Sequence, residues 1–310
     1  MAKRYFRKLV ALAKVETTYG VDSVPTAAAN GMLMQDVTLT PLEAEELGRE
    51  LLLPHMGHQG VLLSGFFTRL EGSVELAGSG TAGTAPAYGP LLRACGMSQV
   101  VTASTRVDYQ PVSSGAEAVS IYYNRDGTLH AMLGARGSWR TELGPNRIPR
   151  LRFNLLGLHG PVSDAALPNA GLSAFRAPVP FNKDNSVFTL HGFTLPTESI
   201  MLDLGNQVEK RDLINDRSIE IVDRRATGSA VLEATQVAQV DWLARAKAST
   251  LGAASLVHGS VAGNIIEFAA PNVQIGRPSE GQTQGILNNT LPLMLLPTSS
   301  GNDELTLRVR

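Results

Sequence analysis

The chain has 310 residues, about twice the ~150 residues of one typical domain, so its length predicts two domains or one duplicated unit. Its 27 basic and 28 acidic residues give a net charge of −1, which argues against binding of nucleic acid or anionic membranes through bulk positive charge. Charged residues make up only 18% of the chain, against roughly 25% in average globular proteins. We therefore expect self-association to cover part of the surface.

The composition also narrows the fold class and the chemistry. The 30 glycines and 17 prolines are spread along the sequence and favour a turn-rich β protein. The single cysteine, Cys95, excludes an internal disulfide framework and a multi-cysteine metal site. The apolar run Leu9–Ala13 is too short for a signal peptide, and no run of 18 apolar residues occurs, so we expect a soluble protein made in the cytoplasm.

The first half is predicted to be an arm, 1–35, followed by a strand-rich unit, 36–160. The arm is expected to be irregular from Thr17 to Asn30, and Val37–Thr40 alternates with period two as the first strand. The charged segment Glu43–Leu51 could form a short helix, but the glycines and prolines around it favour a long excursion between two strands. The remaining predicted elements are a strand at Phe66–Leu76, a helix at Pro86–Cys95, a hairpin at Ala118–Leu133 around Asp126–Gly127, and strands at Ser138–Leu143 and Arg150–Leu158.

After a proline-rich segment predicted to be a linker, 161–185, the second half, 186–310, repeats this order. Strands at Ser199–Leu204 and Gly228–Glu233 flank a second charged excursion, Gln207–Arg217. The elements that follow are a helix at Val240–Ala248, a hairpin at Ala254–Phe268 around Gly263, and strands at Asn272–Ile275 and Ile286–Leu296. The shared order and spacing predict an internal duplication.

Three motifs are candidates for a catalytic, cofactor-binding or metal-binding role. Gly78–Gly83 fits the dinucleotide pattern G-x-G-x-x-G, but it lacks the acid ~20 residues further on and a parallel-sheet context, so a small-residue loop is favoured. His55 and His58 flank Gly57 and lack helical spacing, which favours exposed loop histidines over a metal site. Cys95 ends a helix and is expected to be a buried apolar residue. The other histidines, His130, His159, His191 and His258, have no triad spacing, so we predict no enzyme, no cofactor and no metal.

Arginine-rich segments were considered as phosphate contacts. They comprise Arg147, Arg150, Arg152 and Arg224–Arg225. Acidic residues are interleaved nearby, and aromatic residues for stacking bases are scarce. Ion pairs between subunits or solvated strand faces are therefore the expectation. Arg150 and Arg152 share one face of a strand, so a common surrounding is expected for both.

Several stretches together resemble the major tail tube proteins of long, non-contractile-tailed bacteriophages (siphophages). They are Ala13–Gly20 with Pro25–Thr26, Ala77–Gly96 and Gly301–Leu307. The resemblance implies a mainly β fold of two tandem β-sandwich or partial-barrel units, each with one flanking short helix. Simple members carry one unit and form six-membered rings, so two units per chain imply a homotrimeric ring with pseudo-sixfold symmetry. It also implies a virion structural protein with no catalytic residues.

The resemblance further implies partners and a place in the virion. The partners are the chain itself, the tail terminator, the tape measure and distal tail proteins, and double-stranded DNA that passes through the lumen during ejection without specific binding. No membrane is involved, and the tail is assembled in the host cytoplasm. The excursions, Glu43–Gln59 and Gln207–Arg217, are then assigned to ring stacking because they mix charged and apolar side chains. The candidate stacking residues are Glu43, Glu46, Arg49, Leu51, Leu52, His55, Glu209, Lys210, Arg211 and Leu213.

Two alternatives remain open. One is a hexameric tail tube protein in which the second domain only decorates the ring. The other is a β-sandwich surface module that binds carbohydrate, which would need clustered exposed aromatic residues; only two tryptophans are present.

Overall fold

The computed structural model describes residues 3–310. It is mainly β, with 54% of residues in strands and 5% in helices, as predicted. The first half contains β1 (Leu9–Val15), α1 (Ala27–Asn30), β2 (Gly31–Met32), β3 (Gln35–Gly48), β4 (Val61–Glu75), α2 (Gly89–Ala94), β5 (Met97–Thr102), β6 (Arg106–Pro111), β7 (Val119–Arg125), β8 (Thr128–Leu143) and β9 (Arg150–Asp164). The second half contains β10 (Ser186–Leu190), β11 (Thr197–Asp203), β12 (Asn206–Leu213), β13 (Asp216–Arg224), β14 (Thr227–Glu233), α3 (Trp242–Lys247), β15 (Leu251–His258), β16 (Ile266–Ile275), β17 (Ser279–Thr283), β18 (Ile286–Leu296) and β19 (Thr306–Val309).

The two halves have the same order of antiparallel strands. In the first half, neighbouring strands follow the order β1-β7-β8-β9-β4-β3. In the second half the order is β10-β15-β16-β18-β14-β11. Numbered along the chain, both sheets read 1-4-5-6-3-2, and in both a short helix lies between the third and fourth strands.

The halves are joined by backbone pairing and by one continuous core. The end of β8 extends past β7 and pairs with β11, with Glu142 opposite Met201. Near the end of the chain, β19 pairs with β16 of the second half and with β6 of the first. Trp139 on β8 and Phe268 on β16 are both buried, and their ring centroids are 6.0 Å apart. The core therefore extends from one half into the other.

Several predicted elements are confirmed with adjusted ends. The Asp126–Gly127 hairpin turn joins β7 to β8, and both residues have positive φ, 41° and 102°, which Asp and Gly adopt more readily than other residues. The helices at Pro86–Cys95 and Val240–Ala248 are present as the six-residue α2 and α3. In α3, Asp241 accepts a hydrogen bond from the Ala244 N–H, which is an N-terminal cap.

Other expectations about the first half are wrong. The first strand is not at Val37 but is β1, inside the predicted arm, where it pairs with β7 along its length and with β2. Ala11, Leu12 and Ala13 are all buried, so burial of consecutive residues removed the polar alternation that marks a half-exposed strand. Ser138–Leu143 is the continuation of β8 and not a separate strand.

The predicted excursions and linker also differ from the structure. Glu43–Gly48 is neither helix nor irregular loop but the outer part of β3, paired with Val61–Phe67 of β4. Gln207–Arg217 lies in the β12–β13 hairpin. The predicted linker begins too early, because β9 continues to Asp164 by pairing with the start of β8. In the second half, Asn272–Ile275 is the end of β16 and not a strand of its own.

Candidate assembly interface

Each half carries a β-hairpin that extends from its second and third strands. The first hairpin comprises residues 42–66, with its tip at 49–60, and the second comprises residues 206–224, with its tip at 214–215. In the second half, Gly205 has φ +66°, and a Cβ there would lie 2.0 Å from the Arg225 carbonyl oxygen. The tight bend at Gly205 is where the second hairpin leaves the β11–β14 pair, in a sheet of its own.

The predicted stacking residues occupy two different environments on these hairpins. Those of the first hairpin lie on β3 or on its tip and are largely exposed: Glu43, Glu46, Arg49, Leu51, Leu52 and His55. Those of the second hairpin lie on β12: Glu209, Lys210, Arg211 and Leu213. Lys210 joins the two groups, because its Nζ lies 2.9 Å from the Glu45 carboxylate, 3.3 Å from the Gly65 carbonyl oxygen and 4.8 Å from the Phe67 ring centroid.

The second hairpin packs against the first half through Arg136 of β8. The Arg136 guanidinium donates hydrogen bonds to the carbonyl oxygens of Ile219 and Ala116, each at 2.8 Å, and to the Glu220 carboxylate. It also stacks over the Tyr19 ring, 4.7 Å from its centroid. Ile219 is fully buried. One side chain therefore fixes the second hairpin to the sheet of the first half with several charge-assisted hydrogen bonds.

Tyr19 and Glu16 stabilise the part of the first half against which the second hairpin packs. The Tyr19 hydroxyl accepts a hydrogen bond from the Ile219 N–H at 2.5 Å, and burial raises the pKa of Tyr19, with the nearby Arg136 opposing that rise. The buried Glu16 carboxylate accepts bonds from the Gly20 N–H at 2.7 Å, the Ser120 hydroxyl at 2.8 Å and the Gly134 N–H at 2.7 Å. Both residues belong to the stretch Ala13–Gly20, which sequence reasoning noted without assigning these contacts.

Arg224, at the base of the second hairpin, makes a second fixed contact. It pairs with the buried Glu304 and donates to the Val112 carbonyl oxygen at 2.9 Å and to Asn302 at 3.2 Å. Sequence reasoning expected Arg224 at a subunit contact or on a solvated face, and that is wrong. The acidic partner lies 80 residues away in the chain, so local spacing carried no signal for it.

The hairpin tips expose apolar side chains. Leu52 and Met56 of the first tip are fully exposed, and Ile214 of the second tip is 94% exposed. Gln59 closes the base of the first tip by accepting from the Leu51 N–H at 2.6 Å and donating to the Leu51 carbonyl oxygen at 2.7 Å. Exposed apolar groups on an ordered loop are typical of a protein contact surface.

Comparison with known proteins gives the family. The family model described as phage tail tube protein matches residues 7–289, which is most of the chain. The chain belongs to the phage tail tube protein family. It is a structural subunit of a phage tail tube, and thus a component of the virion tail that self-associates into a tube. A search of curated proteins gave no match.

The tail tube family is structural and is not an enzyme family. Gly78–Gly83 serves as a junction loop: the Gly78 N–H donates to the Asn264 side chain at 2.7 Å, and a Cβ at Gly78 would lie 2.0 Å from the Gly263 carbonyl oxygen. Cys95 is fully buried, and burial raises the pKa of its thiol well above its usual range, which disfavours the reactive thiolate. Within residues 3–310, no three potential metal ligands come together.

The histidines of this tail tube subunit lie either on an exposed hairpin tip or in hydrogen-bonded positions within the fold. His55 and His58 are exposed on the first tip. His258 is buried between the Ser186 hydroxyl, 2.9 Å from Nδ1, and the Val179 carbonyl oxygen, 3.0 Å from Nε2, and burial lowers its pKa. Over the part of the chain that the structure describes, no helix has the length and apolar character needed to cross a bilayer.

The arginines on the β8–β9 side of the tail tube subunit pair within the chain. Arg147 lies 3.3 Å from Glu142, Arg150 lies 3.6 Å from Asp36, and Arg152 lies 2.9 Å from Glu71. All six side chains are partly solvent-exposed, so each pair contributes little to stability, about 0–1 kcal/mol. The pairing nonetheless reduces the positive charge that this surface presents.

Replacement of Arg136 by alanine should release the second hairpin from the first half. Loss of its hydrogen bonds leaves the buried Ile219 carbonyl oxygen without this donor, which should lower the free energy of unfolding by about 2–4 kcal/mol. Denaturant unfolding measures the loss, and hydrogen exchange should show faster exchange across 206–224. Arg140→Ala, an exposed position on the same strand, is the control and should change stability by no more than about 0.5 kcal/mol. Equal effects of the two substitutions would contradict this role of Arg136.

Proposed function

We propose that this tail tube subunit carries two tandem tube units, the predicted 36–160 together with β1, and 186–310, and that three chains close a ring with pseudo-sixfold symmetry. The observation that carries the proposal is the common strand order of the two halves, 1-4-5-6-3-2, with a helix at the same place in each. A match of one strand pair would be weak evidence, since hairpins are common. Six strands in one non-sequential order are much less expected from unrelated halves.

The junction between the halves supports this proposal. The pairing of β8 with β11 extends the first sheet into the second, so two units within one chain are already arranged as neighbours in a continuous wall. Repetition of a head-to-tail contact of this kind closes a ring when the rotation divides a full turn. Three chains then supply six units.

We further assign the stacking of rings to the hairpin tips rather than to whole hairpins. The stem of the second hairpin is occupied by its own chain through Arg136 and Ile219. The tips, 49–60 and 214–215, carry the fully exposed Leu52 and the nearly fully exposed Ile214. They therefore have free apolar surface to bury against a neighbouring ring.

The lumen of such a tube is proposed to conduct double-stranded DNA without holding it. Each phosphate neutralised by Lys or Arg adds salt-dependent affinity, with a log–log slope of about −0.9 per contact, and this would be repeated in every ring. A net charge of −1 and the pairing of Arg147, Arg150 and Arg152 with carboxylates fit weak contact. The tail terminator, the tape measure and distal tail proteins are the proposed partners at the tube ends, with assembly in the host cytoplasm.

Two other functions were considered. A hexamer with a decorating second domain would leave the second half outside the ring wall, whereas here the halves share a core through Trp139 and Phe268. A carbohydrate-binding module would need exposed aromatic platforms, whereas both tryptophans, Trp139 and Trp242, are buried. We therefore favour a tail tube subunit that assembles into trimeric rings.

The smallest stable ring should contain three chains of 33.0 kDa. Native mass spectrometry of the purified protein gives the number directly, and negative-stain images should show rings or tubes of uniform width. A ring of six chains would contradict the two-unit proposal. A protein that stays monomeric at high concentration would contradict the tube itself.

Removal of the first tip should block stacking and leave rings intact. Residues 49–60 are replaced by Asn-Gly, a two-residue turn suited to joining Gly48 to Val61, which already face each other in the hairpin. Sedimentation and electron microscopy should then show soluble rings and few tubes. A chain in which only Leu52 is changed to Ser should assemble more slowly than the parent. Tubes that form at the parent rate without the tip would refute the stacking role.

Open tubes should bind duplex DNA weakly. Retention of labelled DNA is measured from low to high salt, for the parent and for Arg150→Ala with Arg152→Ala. We expect little retention in either case, because Asp36 and Glu71 already offset these charges. Strong binding that is released by salt and lost in the double variant would mean that these arginines contact phosphate in the lumen.

A further inference from the structure

The contact between the two halves of the chain includes the pairing of β19 with β6 and three further parts. The end of β8 pairs with β11. The second hairpin lies across the sheet of the first half. The loop at 78–83 packs against the turn at 259–264, where the Gly80 N–H donates to the Gly263 carbonyl oxygen at 2.9 Å. The first half thus contributes a strand end, a sheet face and a loop, and the second half contributes a strand edge, a hairpin and a turn.

Each of these parts has a counterpart, and all of the counterparts have free edges or exposed surface except the turn at Asp126–Gly127, which Arg4, Tyr5 and Lys8 of the same chain contact. β17 follows β16 in the chain and pairs with the next part of β18. Among the described residues, β17 pairs only with β18. The counterpart of β11 is β3, which in the same range pairs only with β4. The stem of the first hairpin exposes Val61, Leu62 and Leu63, and Lys210 of the second hairpin contacts this stem at Glu45, Gly65 and Phe67. The loop at 234–239 carries the 70% exposed Val237.

We propose that these free parts form the contact between successive chains of a ring, in the same arrangement that joins the two halves within one chain. The edge of β3 pairs with the edge of β17 of the neighbouring copy. The first hairpin lies across the second-half sheet of that copy. This inference rests on the proposed function, since it supplies the junction that the ring of three needs.

The register follows from the matched strands. Gly72-Ser73 of β4 and Gly228-Ser229 of β14 occupy the same place in the two sheets. Ser229 lies opposite Met201, and Ser73 lies opposite Gln35, so Gln35 is the counterpart of Met201.

The same matching identifies the partner strand. Arg152 lies opposite Ser73, and Pro292 lies opposite Ser229, so Arg152 and Pro292 correspond. Two positions earlier, Arg150 and Thr290 correspond. Because Thr141 lies opposite Leu151, the next pair along these two strands is Glu142 and Arg150, and Glu142 also lies opposite Met201. In the second half, Thr290 lies opposite Ser279, so Ser279 is the counterpart of Glu142. Gln35 of one chain should therefore lie opposite Ser279 of the next.

The surfaces that would meet are complementary. The sheet face of the second half exposes Met201, Pro292 and Met294. Leu156 of the first half is 8% exposed, whereas Leu296, its counterpart in this register, is half-buried. The first hairpin brings exposed leucines to such a face. It also carries four glutamates and one arginine over 42–66, and the second half exposes Arg211 and Arg277. Apolar contact with a charged rim is the usual composition of a protein interface.

The pairing is tested by disulfide formation in assembled tubes of the Gln35→Cys, Ser279→Cys variant. Facing residues of paired strands have Cα atoms about 4.5–5.5 Å apart, which is within disulfide range. Mild oxidation should link the chains, and denaturing gels should show covalent species of two and three chains and none larger. The native Cys95 is fully buried and stays in place.

Three controls accompany this variant. Met201→Cys with Glu142→Cys should form its bond within one chain and give no higher mass. Thr38→Cys with Ser279→Cys places the thiols roughly three residues, about 10 Å, out of register and should link at least tenfold more slowly. Each single substitution should give no species of three chains.

The outcomes separate the two proposals. Linked species that end at three chains support both the register and the ring. Rings of the expected mass that do not become linked, or equal rates for the displaced pair, would overturn the junction and leave the proposed function standing. The absence of rings in native mass spectrometry would overturn both.

Discussion

An antiparallel sheet edge with unpaired N–H and C=O groups must be covered or blocked, and the arrangement of this subunit depends on where its edges are covered. Within the chain, β11 covers the end of β8 that extends past β7. This pairing, together with β19 between β16 and β6, joins the first sheet to the second. The buried Trp139 lies on β8, so the core continues across the junction. Among the described strands with one unpaired edge are β3 and β17, and these are the edges that we propose the neighbouring chain covers.

The second hairpin shows how a surface element becomes fixed. Its outer strand β12 is polar and exposed, yet Ile219 on β13 is fully buried because Arg136 and Tyr19 satisfy the hydrogen-bonding groups around it. A buried backbone carbonyl without a donor would be costly, so the hairpin and its docking residues form one unit. The first hairpin extends from the corresponding strands of its own sheet, and its described side-chain contact with the second half is with Lys210, through Glu45, Gly65 and Phe67.

The β class, the two short helices and the Asp126–Gly127 turn could be predicted from the sequence, because each has a local signal in composition, spacing or turn chemistry. Sequence reasoning missed β1, since Ala11, Leu12 and Ala13 are buried in succession and do not alternate with polar residues. It read Glu43–Gly48 as an excursion, since polar strands that protrude from a sheet carry no buried face. The docking contacts of Arg136 and Arg224 join residues about 80 positions apart, and only the fold reveals such pairs.

Two units in one chain have an energetic consequence for assembly. In the proposed ring, half of the six junctions form when each chain folds, so they lose no translational freedom on assembly. Each association of separate chains must first offset an estimated cost of about 4–15 kcal/mol for that freedom. Joining three chains into one ring takes two such associations, whereas joining six separate units would take five. In the proposed ring, the junction within one chain can therefore depend on a few contacts such as those of Arg136. The junction between chains needs the larger apolar and acidic surface of the first hairpin.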